Sequence, residues 1–306
     1  MTSTSVSTGR TWRFLARIAV TVILLTFIWR LVDSAEVMQA LREVSWIWFA
    51  AAVVTLIAQT IFSAIRWRVT AAEIGSNLAL TFAIREYFLS QIINQTVPGA
   101  ITGDAARAVR SRHKGGLLNV GKAVAIERLA GQICLFLMLS TGFIVTLNTA
   151  GGLDWPIRVS RPLLGIVMFG LGVLATLVVL TALRGRSKRL RWTRPLHRAL
   201  LARHVLPSQL LLGAAIAICN VYAFAFAAYS VGLDMSFAET TTLVPLVLFA
   251  MLVPLTISGW GLREGAAAFF LPIMGASVSL SVAASVMFGL AHLVSATPGV
   301  IVALKP

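Results

Sequence analysis

Apolar residues form long runs along the chain, and short polar or charged segments separate these runs. A helix needs roughly 20 apolar residues to cross the hydrocarbon core of a bilayer. Runs of about that length predict six spans, at residues 15–32, 46–65, 122–147, 161–183, 207–231 and 278–304. Two further apolar segments, at about 78–98 and 241–275, are interrupted by glycine, proline and polar residues. The pattern predicts an all-α polytopic membrane protein built as one membrane domain over residues 1–306.

Charged residues are segregated by sign, and this indicates the orientation of the spans. The chain has 26 Lys and Arg against 11 Asp and Glu, which gives a net charge of +15. The bases concentrate at residues 10–17, 66–68, 107–128 and 184–203. Six of the eleven acids fall at 33–45, 148–160 and 232–240. Because basic loops stay in the cytoplasm, we expect a multi-pass protein of the bacterial inner (plasma) membrane with both termini cytoplasmic.

The loop at 184–206 has the strongest charge bias. Its first part, 184–203, carries eight basic residues and no acid. This bias has three interpretations: the loop only sets orientation, it lies on anionic headgroups, or it docks a soluble partner. The two cysteines, Cys134 and Cys219, fall inside predicted spans and form neither a disulfide framework nor a metal motif. We expect both to be packing residues.

Each interrupted segment contains a short stretch that should break a helix. The first stretch is VPGAITGDAAR from Val97, and the second is VPLTISGWGLR from Val253. Proline lacks an N–H and clashes with the preceding turn, whereas glycine permits the chain to reverse. The helix-breaking residues are Pro98, Gly99, Gly103, Pro254, Gly259 and Gly261. We expect two re-entrant broken-helix hairpins, with Asp104 as N-cap of the first new helix and Glu264 in the first turn of the second.

The two stretches match each other at a constant offset of 156 residues. Val, Pro, Ile, a hydroxyl residue, Gly and Arg recur in the same places, so that Arg107 corresponds to Arg263. The same offset places the third predicted span on the last one, and the charge bias gives the two halves opposite orientations. Inverted-topology repeats build substrate sites near the membrane midplane from discontinuous helices. The sequence predicts such a repeat, with its halves at about 15–147 and 161–304.

The charged residues at the two breaks are the first candidates for a substrate-binding site. An arginine near the bilayer centre costs at least ~2.5–3.5 kcal/mol, so Arg107 and Arg263 need acids, water or an anionic ligand. The free N–H groups of a helix start also favour an anion. One interpretation is that the two arginines bind an anionic headgroup together with Asp104 and Glu264. The other is that Asp104–Arg263 and Glu264–Arg107 are ion pairs that only tie the halves together.

Other polar residues lie close to these breaks. Gln91, Asn94 and Gln95 precede the first break and are expected to line a headgroup cavity. Glu127 and Arg128 open the third span, either as part of the site or as an interfacial pair, and His292 is expected to form a packing hydrogen bond. The sequence has no paired carboxylates, no metal-ligand cluster and no P-loop. We expect no catalytic residue, metal or cofactor, and transport that runs downhill or is coupled to an ion gradient.

Three motifs in a fixed order carry a resemblance to a known family. They are YFLSQIINQTVPGAITGDAAR ending at Arg107, AIERLAG at 125–131 and VPLTISGWGLREG at 253–265. Together they resemble the flippase-like membrane domain family. This family comprises the transmembrane domain of lysylphosphatidylglycerol synthases (the multiple peptide resistance factors) and stand-alone proteins of uncharacterised family 0104. The resemblance covers essentially the whole chain and departs at Thr102-Gly103-Asp104, where the family often has Gly-Gly-Asp.

This resemblance implies movement of a headgroup lipid between leaflets, such as an aminoacylated or other anionic phospholipid. An alternative is the handling of a glycolipid or polyprenyl-phosphate-linked sugar, as a transferase or as an accessory to a glycosyltransferase. The sequence ends directly after its last predicted span, so the aminoacyl transfer of the full-length synthases is not carried over and no enzymatic activity is expected. The expected partners are the lipid and the membrane. A soluble synthase, a glycosyltransferase or a second copy of the chain are further candidates, and nucleic acid is not.

Overall fold

Helices form the regular structure of the chain. The computed structural model describes residues 5–97, 101–149, 153–183, 194–252 and 255–304. The α-helices are α1 (Ser5–Leu31), α2 (Ser34–Arg42), α3 (Trp46–Glu73), α4 (Leu80–Thr96), α5 (Thr102–Arg110), α6 (Leu117–Asn148), α7 (Ile157–Ala182), α8 (Arg194–Leu196), α9 (Leu206–Ser230), α10 (Phe237–Ala250), α11 (Leu262–Phe270), α12 (Val278–Ser295) and α13 (Pro298–Leu304). No strand occurs in the described ranges. The prediction of an all-α protein is confirmed.

Five stretches are long and apolar enough to cross a membrane. They are α3, α6, α7, α9 and Val278–Leu304, the last of which contains α12 and α13. Ala16–Leu31 and Ser34–Arg42 pass the same test together, although the chain bends by 97° between them, and they make a sixth span if counted as one. These stretches correspond to the six spans predicted from the apolar runs. The chain is therefore a polytopic membrane protein.

Local side-chain caps set several helix starts. α10 begins with a capping box, in which Glu239 N–H donates to Ser236 Oγ at 3.3 Å and Ser236 N–H donates to Glu239 Oε2 at 2.6 Å. Asp33 and Ser277 cap α2 and α12, each by accepting a backbone N–H of the first turn, at 2.9 and 3.1 Å. Such contacts satisfy backbone donors that have no partner within the helix. The starts of α2, α10 and α12 therefore follow from local sequence.

The core of the bundle is the packing of α3 against α9, with α12 against both. α6 also packs on α3 and α9, and it contacts α10. Glycines allow these close approaches. A Cβ added at Gly142 of α6 would come within 2.5 Å of Thr242 Oγ1 of α10, and one added at Gly213 of α9 would overlap Cys134 Sγ of α6. Small residues at such contacts matter because lipid is as apolar as the protein core, so close van der Waals packing drives helix association in membranes.

α7 lies at the edge of the bundle. Most of its large apolar side chains are exposed, and its buried residues are Leu163, Val167 and Thr181. An exposed apolar helix of spanning length is accommodated by bilayer hydrocarbon rather than by water. We therefore expect α7 to face lipid, and it contributes no residue to the polar cavity described below.

The two breaks differ in length. Three of the predicted helix-breaking residues, Pro98, Gly99 and Pro254, lie outside the described residues. The first break is short, since α4 ends at Thr96 and α5 begins at Thr102, whereas the second spans residues 251–261 between α10 and α11. In the second break Gly259 and Gly261 have φ of 78° and 87°, a region that glycine adopts without steric cost. The longer break thus depends on glycine for its backbone conformation.

Gly103 has a different role from the one predicted for it. It lies inside α5, and a Cβ there would overlap the carbonyl oxygen of Ser90 and come within 2.9 Å of Asn94 Cγ, both on α4. The missing side chain therefore lets α5 pack directly against α4. Asn94 stabilises the same contact, because its Oδ1 accepts the Gly103 N–H at 2.7 Å.

The starts of α5 and α11 also differ. The prediction that Asp104 is an N-cap is wrong: Ile101 occupies the N-cap position and Asp104 is the third residue of α5. The carboxylate of Asp104 instead accepts from two guanidinium groups, which are stronger partners than a backbone N–H. The prediction for the second break is confirmed, since α11 begins directly after Gly261 and Glu264 lies in its first turn. Glu264 Oε2 accepts the Gly261 N–H at 2.6 Å.

The matched arginines occupy different places in their helices. Arg107 is the sixth residue of α5, whereas Arg263 is the second residue of α11. Residues that match in sequence at the offset of 156 therefore do not occupy equivalent positions in the two helices. The inverted repeat and the re-entrant course of the two hairpins stay predictions.

Candidate functional site

A polar cavity of about 290 Å³ lies among α3, α4, α5, α6, α9 and α12, next to the second break. Its uncharged polar lining consists of Gln59, Ser63, Tyr87, Ser90, Gln91, Asn94, Gln95, Gln132, Asn220, Ser258 and His292. Its charged lining consists of Arg66, Asp104, Glu127 and Arg128. Arg66 lies seven residues from the end of α3 and Glu127 ten residues from the start of α6, so the charged side is about 10–15 Å from these helix ends. We call this space the headgroup cavity, after the role proposed for it below.

Glu127 is the centre of an ion-pair cluster beside the headgroup cavity. Arg66 Nη2 of α3 donates to Glu127 Oε1 at 2.8 Å, and Arg107 Nη2 of α5 donates to Glu127 Oε2 at 3.4 Å. The hydroxyl of Tyr87 lies 3.2 Å from both carboxylate oxygens. Glu127 therefore joins α3, α4 and α5 to α6, which is more than the interfacial pair that was the alternative interpretation of Glu127 and Arg128.

Asp104 is the second acid of this cluster. Arg107 Nη2 donates to Asp104 Oδ1 at 2.9 Å, Arg128 Nη1 donates to Asp104 Oδ2, and Ser90 Oγ lies 3.4 Å from Oδ1. The side chain of Asp104 is 14% exposed and that of Arg128 is 33% exposed, whereas that of Arg107 is 1% exposed. Arg128 is therefore the most accessible charged group of the headgroup cavity.

Arg107 is enclosed by aromatic rings and does not line the headgroup cavity. Its guanidinium carbon lies 4.4 Å from the ring centroid of Trp67 and 4.2 Å from that of Tyr87. Arginine stacks favourably on aromatic faces, and the attraction increases when the group is desolvated. Arg107 thus anchors α5 against α3 and α4. A direct contact between Arg107 and a substrate stays a prediction.

The cluster carries a net positive charge. Three guanidinium groups (Arg66, Arg107 and Arg128) face two carboxylates (Asp104 and Glu127), which leaves one positive charge. An uncompensated charge in a buried cluster is costly, and an anion bound beside it would remove that cost. The cluster is therefore suited to bind one further negative charge, such as a phosphate.

Several cavity-lining polar groups lack a hydrogen-bond partner. Within the described part of the chain, such buried atoms include Arg66 Nε and Nη1, Gln91 Nε2 and Gln132 Oε1. A buried polar atom without a partner costs about 1–3 kcal/mol. All three side chains line the headgroup cavity. The unpartnered atoms are donors on Arg66 and Gln91 and an acceptor on Gln132.

Arg66 and Gln59 were not among the residues predicted from sequence. Residues 66–68 were interpreted as a basic loop, but α3 continues to Glu73. A signal was present, because Gln59, Ser63 and Arg66 recur at intervals of four and three residues. This spacing places them on one helix face. Extending the helical period beyond residue 65 would have identified this polar face.

Arg263 is enclosed in a separate cluster on the second break. Its Nη2 donates to Glu264 Oε1 at 2.6 Å, and its Nε donates to Ser285 Oγ at 3.0 Å. Its guanidinium carbon lies 4.9 Å from the Trp260 ring and 5.5 Å from the Phe288 ring. Neither Arg263 nor Glu264 lines the headgroup cavity. Each matched arginine therefore pairs within its own half, and the pairs Asp104–Arg263 and Glu264–Arg107 are not formed.

The second break nevertheless contacts the end of α4 at the headgroup cavity. Ser258 Oγ of the second break donates to Gln95 Oε1, two residues before Val97, and Gln95 Nε2 lies 2.9 Å from His292 Nδ1 of α12. All three residues line the headgroup cavity. His292 thus forms the packing hydrogen bond expected for it. Polar uncharged side chains, rather than the matched arginines, join the second break to the end of α4.

The sequence-predicted site residues fall into two sets. Gln91, Asn94, Asp104, Glu127 and Arg128 line the headgroup cavity, as a headgroup-binding role requires. Arg107, Arg263 and Glu264 are buried in ion pairs outside it. The fold and this cavity define a multi-pass membrane protein with a polar, positively charged site between its helices.

The family follows from comparison with known proteins. Residues 14–299 match the family described as "Lysylphosphatidylglycerol synthase TM region", which is nearly the whole chain. The chain belongs to this family, and the resemblance seen in its three motifs is confirmed. Comparison of this chain with curated proteins and with solved structures found no match.

Proposed function

We propose that this protein moves a phosphate-bearing lipid between the leaflets of its membrane, as a flippase or scramblase without catalytic chemistry of its own. The headgroup occupies the headgroup cavity during passage. The family supports a lipid-related role. The observation that carries the proposal is a polar cavity between membrane spans, with one excess positive charge and the partly exposed guanidinium of Arg128.

A lipid headgroup needs such a cavity because its charge is poorly soluble in hydrocarbon. Even on the lenient insertion scale, one charged side chain at the bilayer centre costs ~2.5–3.5 kcal/mol. Arg128 and Arg66 supply charge-assisted hydrogen bonds to a phosphate, and Asp104 and Glu127 keep these guanidinium groups in place. The amides of Gln91 and Gln132 suit the hydroxyl or amine groups of the same headgroup.

The proposal is tested with Arg128→Ala in proteoliposomes. Headgroup-labelled phosphatidylglycerol is the probe, and an impermeant quencher reports the fraction that reaches the outer leaflet. The loss of a hydrogen bond to a charged group, about 1.5–3 kcal/mol, should slow translocation roughly ten- to one-hundred-fold. Arg68→Ala is the matched control. Arg68 is an exposed arginine in the part of α3 that also contains Arg66, and it does not line the headgroup cavity.

Two outcomes decide the proposal. If correctly folded Arg128→Ala and Arg68→Ala both translocate the probe at the parental rate, the headgroup cavity is not the path of the lipid. Parallel assays with lysyl-phosphatidylglycerol and with a polyprenyl-phosphate-linked sugar identify the headgroup class. Translocation of the polyprenyl lipid alone would favour the alternative role beside a glycosyltransferase.

A further inference from the structure

An apolar groove adjoins the headgroup cavity. It has a volume of about 680 Å³ and is lined by α6, α9 and the start of α10, including Cys134, Met138, Val145, Ala217 and Phe237. Ala217 of α9 lines both spaces. On α6, Cys134 lines the groove and the next residue, Leu135, lines the headgroup cavity. The polar and the apolar space therefore share a wall.

The groove offers apolar chemistry although three threonines line it. The hydroxyls of Thr141, Thr146 and Thr241 donate to carbonyl oxygens of their own helices, at 2.9, 2.9 and 2.8 Å. They therefore do not require a polar ligand. The volume lies within the range of roughly 300–1,000 Å³ that is typical of small-molecule sites.

The length of the groove matches an acyl chain. On α6 it is lined from Cys134 to Thr146, a distance of about 18 Å along the helix. One leaflet contributes about half of the ~30 Å hydrocarbon core. The groove begins at the level of the headgroup cavity and continues to the end of α6 near the start of α10.

We propose that this groove holds one acyl chain of the same lipid whose headgroup occupies the headgroup cavity, an inference that rests on the proposed function. The end of the chain nearest the glycerol lies beside Cys134 and Leu137, and its terminal methyl lies toward Thr146 and Phe237. The headgroup is then on the side of the basic ends of α3 and α6. The bound lipid has the orientation of the leaflet on that side, before it has turned over.

Photo-crosslinking tests the placement of the chain. The purified protein is placed in vesicles that contain phosphatidylglycerol with a diazirine either near the glycerol or at the end of one acyl chain. The first probe should label α6 near Leu137, and the second should label the Thr146–Phe237 end. Diacylglycerol with the same diazirine is the control, because it has the tails but no phosphate.

Leu137→Trp should reduce groove labelling to the level of the diacylglycerol control, because the indole fills the groove beside the headgroup cavity. Ile144→Trp is the matched variant: Leu137 is 39% exposed and Ile144 is 40% exposed, both on α6, but only Leu137 lines the groove. Ile144→Trp should label as the parent does. Arg128→Ala should also reduce labelling by the phosphatidylglycerol probe, since the headgroup positions the tail.

Three results would overturn the inference. The first is that the diacylglycerol probe labels the groove as strongly as the phosphatidylglycerol probe does. The second is that the two diazirine positions label the groove in the reverse order. The third is that the Leu137→Trp variant is labelled as strongly as the parent. Normal translocation together with any of these results rejects the groove assignment and leaves the proposed function standing. Parental protein that fails to translocate any lipid rejects the proposed function instead.

Discussion

Removing the charge of Glu127 should destabilise the protein more than a typical single substitution does. In Glu127→Gln the cluster of Arg66, Arg107, Arg128 and Asp104 carries two uncompensated positive charges, whereas the parent carries one. Breaking a buried ion pair by removing one partner costs about 3–5 kcal/mol. At about 2–4 °C per kcal/mol, the conversion for domains of 150–250 residues, the Tm should fall by roughly 6–20 °C.

The double variant Glu127→Gln/Arg66→Gln tests the electrostatic cause. It removes one acid and one base, so the cluster returns to a single uncompensated positive charge. It should therefore recover about half or more of the Tm lost in Glu127→Gln, and the two changes should be strongly non-additive, as expected for residues in contact. The assay is thermal unfolding in detergent, followed by the fraction of monodisperse protein in size-exclusion chromatography.

The control for this cycle is Glu43→Gln. Glu43 is exposed after α2, where it accepts a hydrogen bond from Gln39 at 3.2 Å. Its neutralisation should leave the Tm within about 1 °C, because exposed surface changes usually alter stability by less than ~0.5 kcal/mol. The electrostatic account is refuted if the Tm of Glu127→Gln equals that of the parent. It is also refuted if the loss of Tm in the double variant equals the sum of the losses in Glu127→Gln and Arg66→Gln alone.

Two further predictions concern packing and topology. Gly289→Ala should lower the Tm by several degrees, because a Cβ there would overlap the Arg263 guanidinium and come within 2.8 Å of the Trp260 ring, and such overpacking costs about 1–3 kcal/mol. Gly165→Ala should keep or raise the Tm, because a Cβ added there meets no atom within 4 Å outside its own helix backbone. Equal effects of the two changes would contradict the packing argument. Single-cysteine variants in a background without Cys134 and Cys219 should react with an impermeant thiol reagent from outside at 33–45, 148–160 and 232–240. Labelling of residue 190 from outside would reject the predicted orientation.

The spans and the positions of the breaks were accessible from the sequence because they depend on local composition. A run of apolar residues marks a membrane helix wherever the rest of the chain goes. The place of Glu264 in the first turn of α11 was predicted correctly for the same reason, since one of its partners is the backbone of Gly261, three residues away. The three motifs also identified the family that residues 14–299 match.

The partners of the charged residues were decided by the tertiary structure. Aspartate is a residue type that is common at N-caps, yet the carboxylate of Asp104 accepts hydrogen bonds from Arg107 on its own helix and from Arg128 on α6. Arg107 has the same place in the first stretch as Arg263 has in the second, yet its guanidinium stacks between the rings of Trp67 and Tyr87. The pair of Asp104 with Arg107 is local, but the pair with Arg128 depends on which helix lies opposite, and no local pattern states which helix that is.

The two spaces assigned to the lipid also arise only from packing. Leu135 and Cys134 are neighbours in sequence, but successive residues of a helix point about 100° apart, so one lines the headgroup cavity and the other lines the groove. The sequence determined that polar residues occur inside membrane spans, which requires a polar site. The packing of α3, α4, α5, α6, α9 and α12 determined where that site lies, because a cavity is bounded by surfaces from helices far apart in the chain.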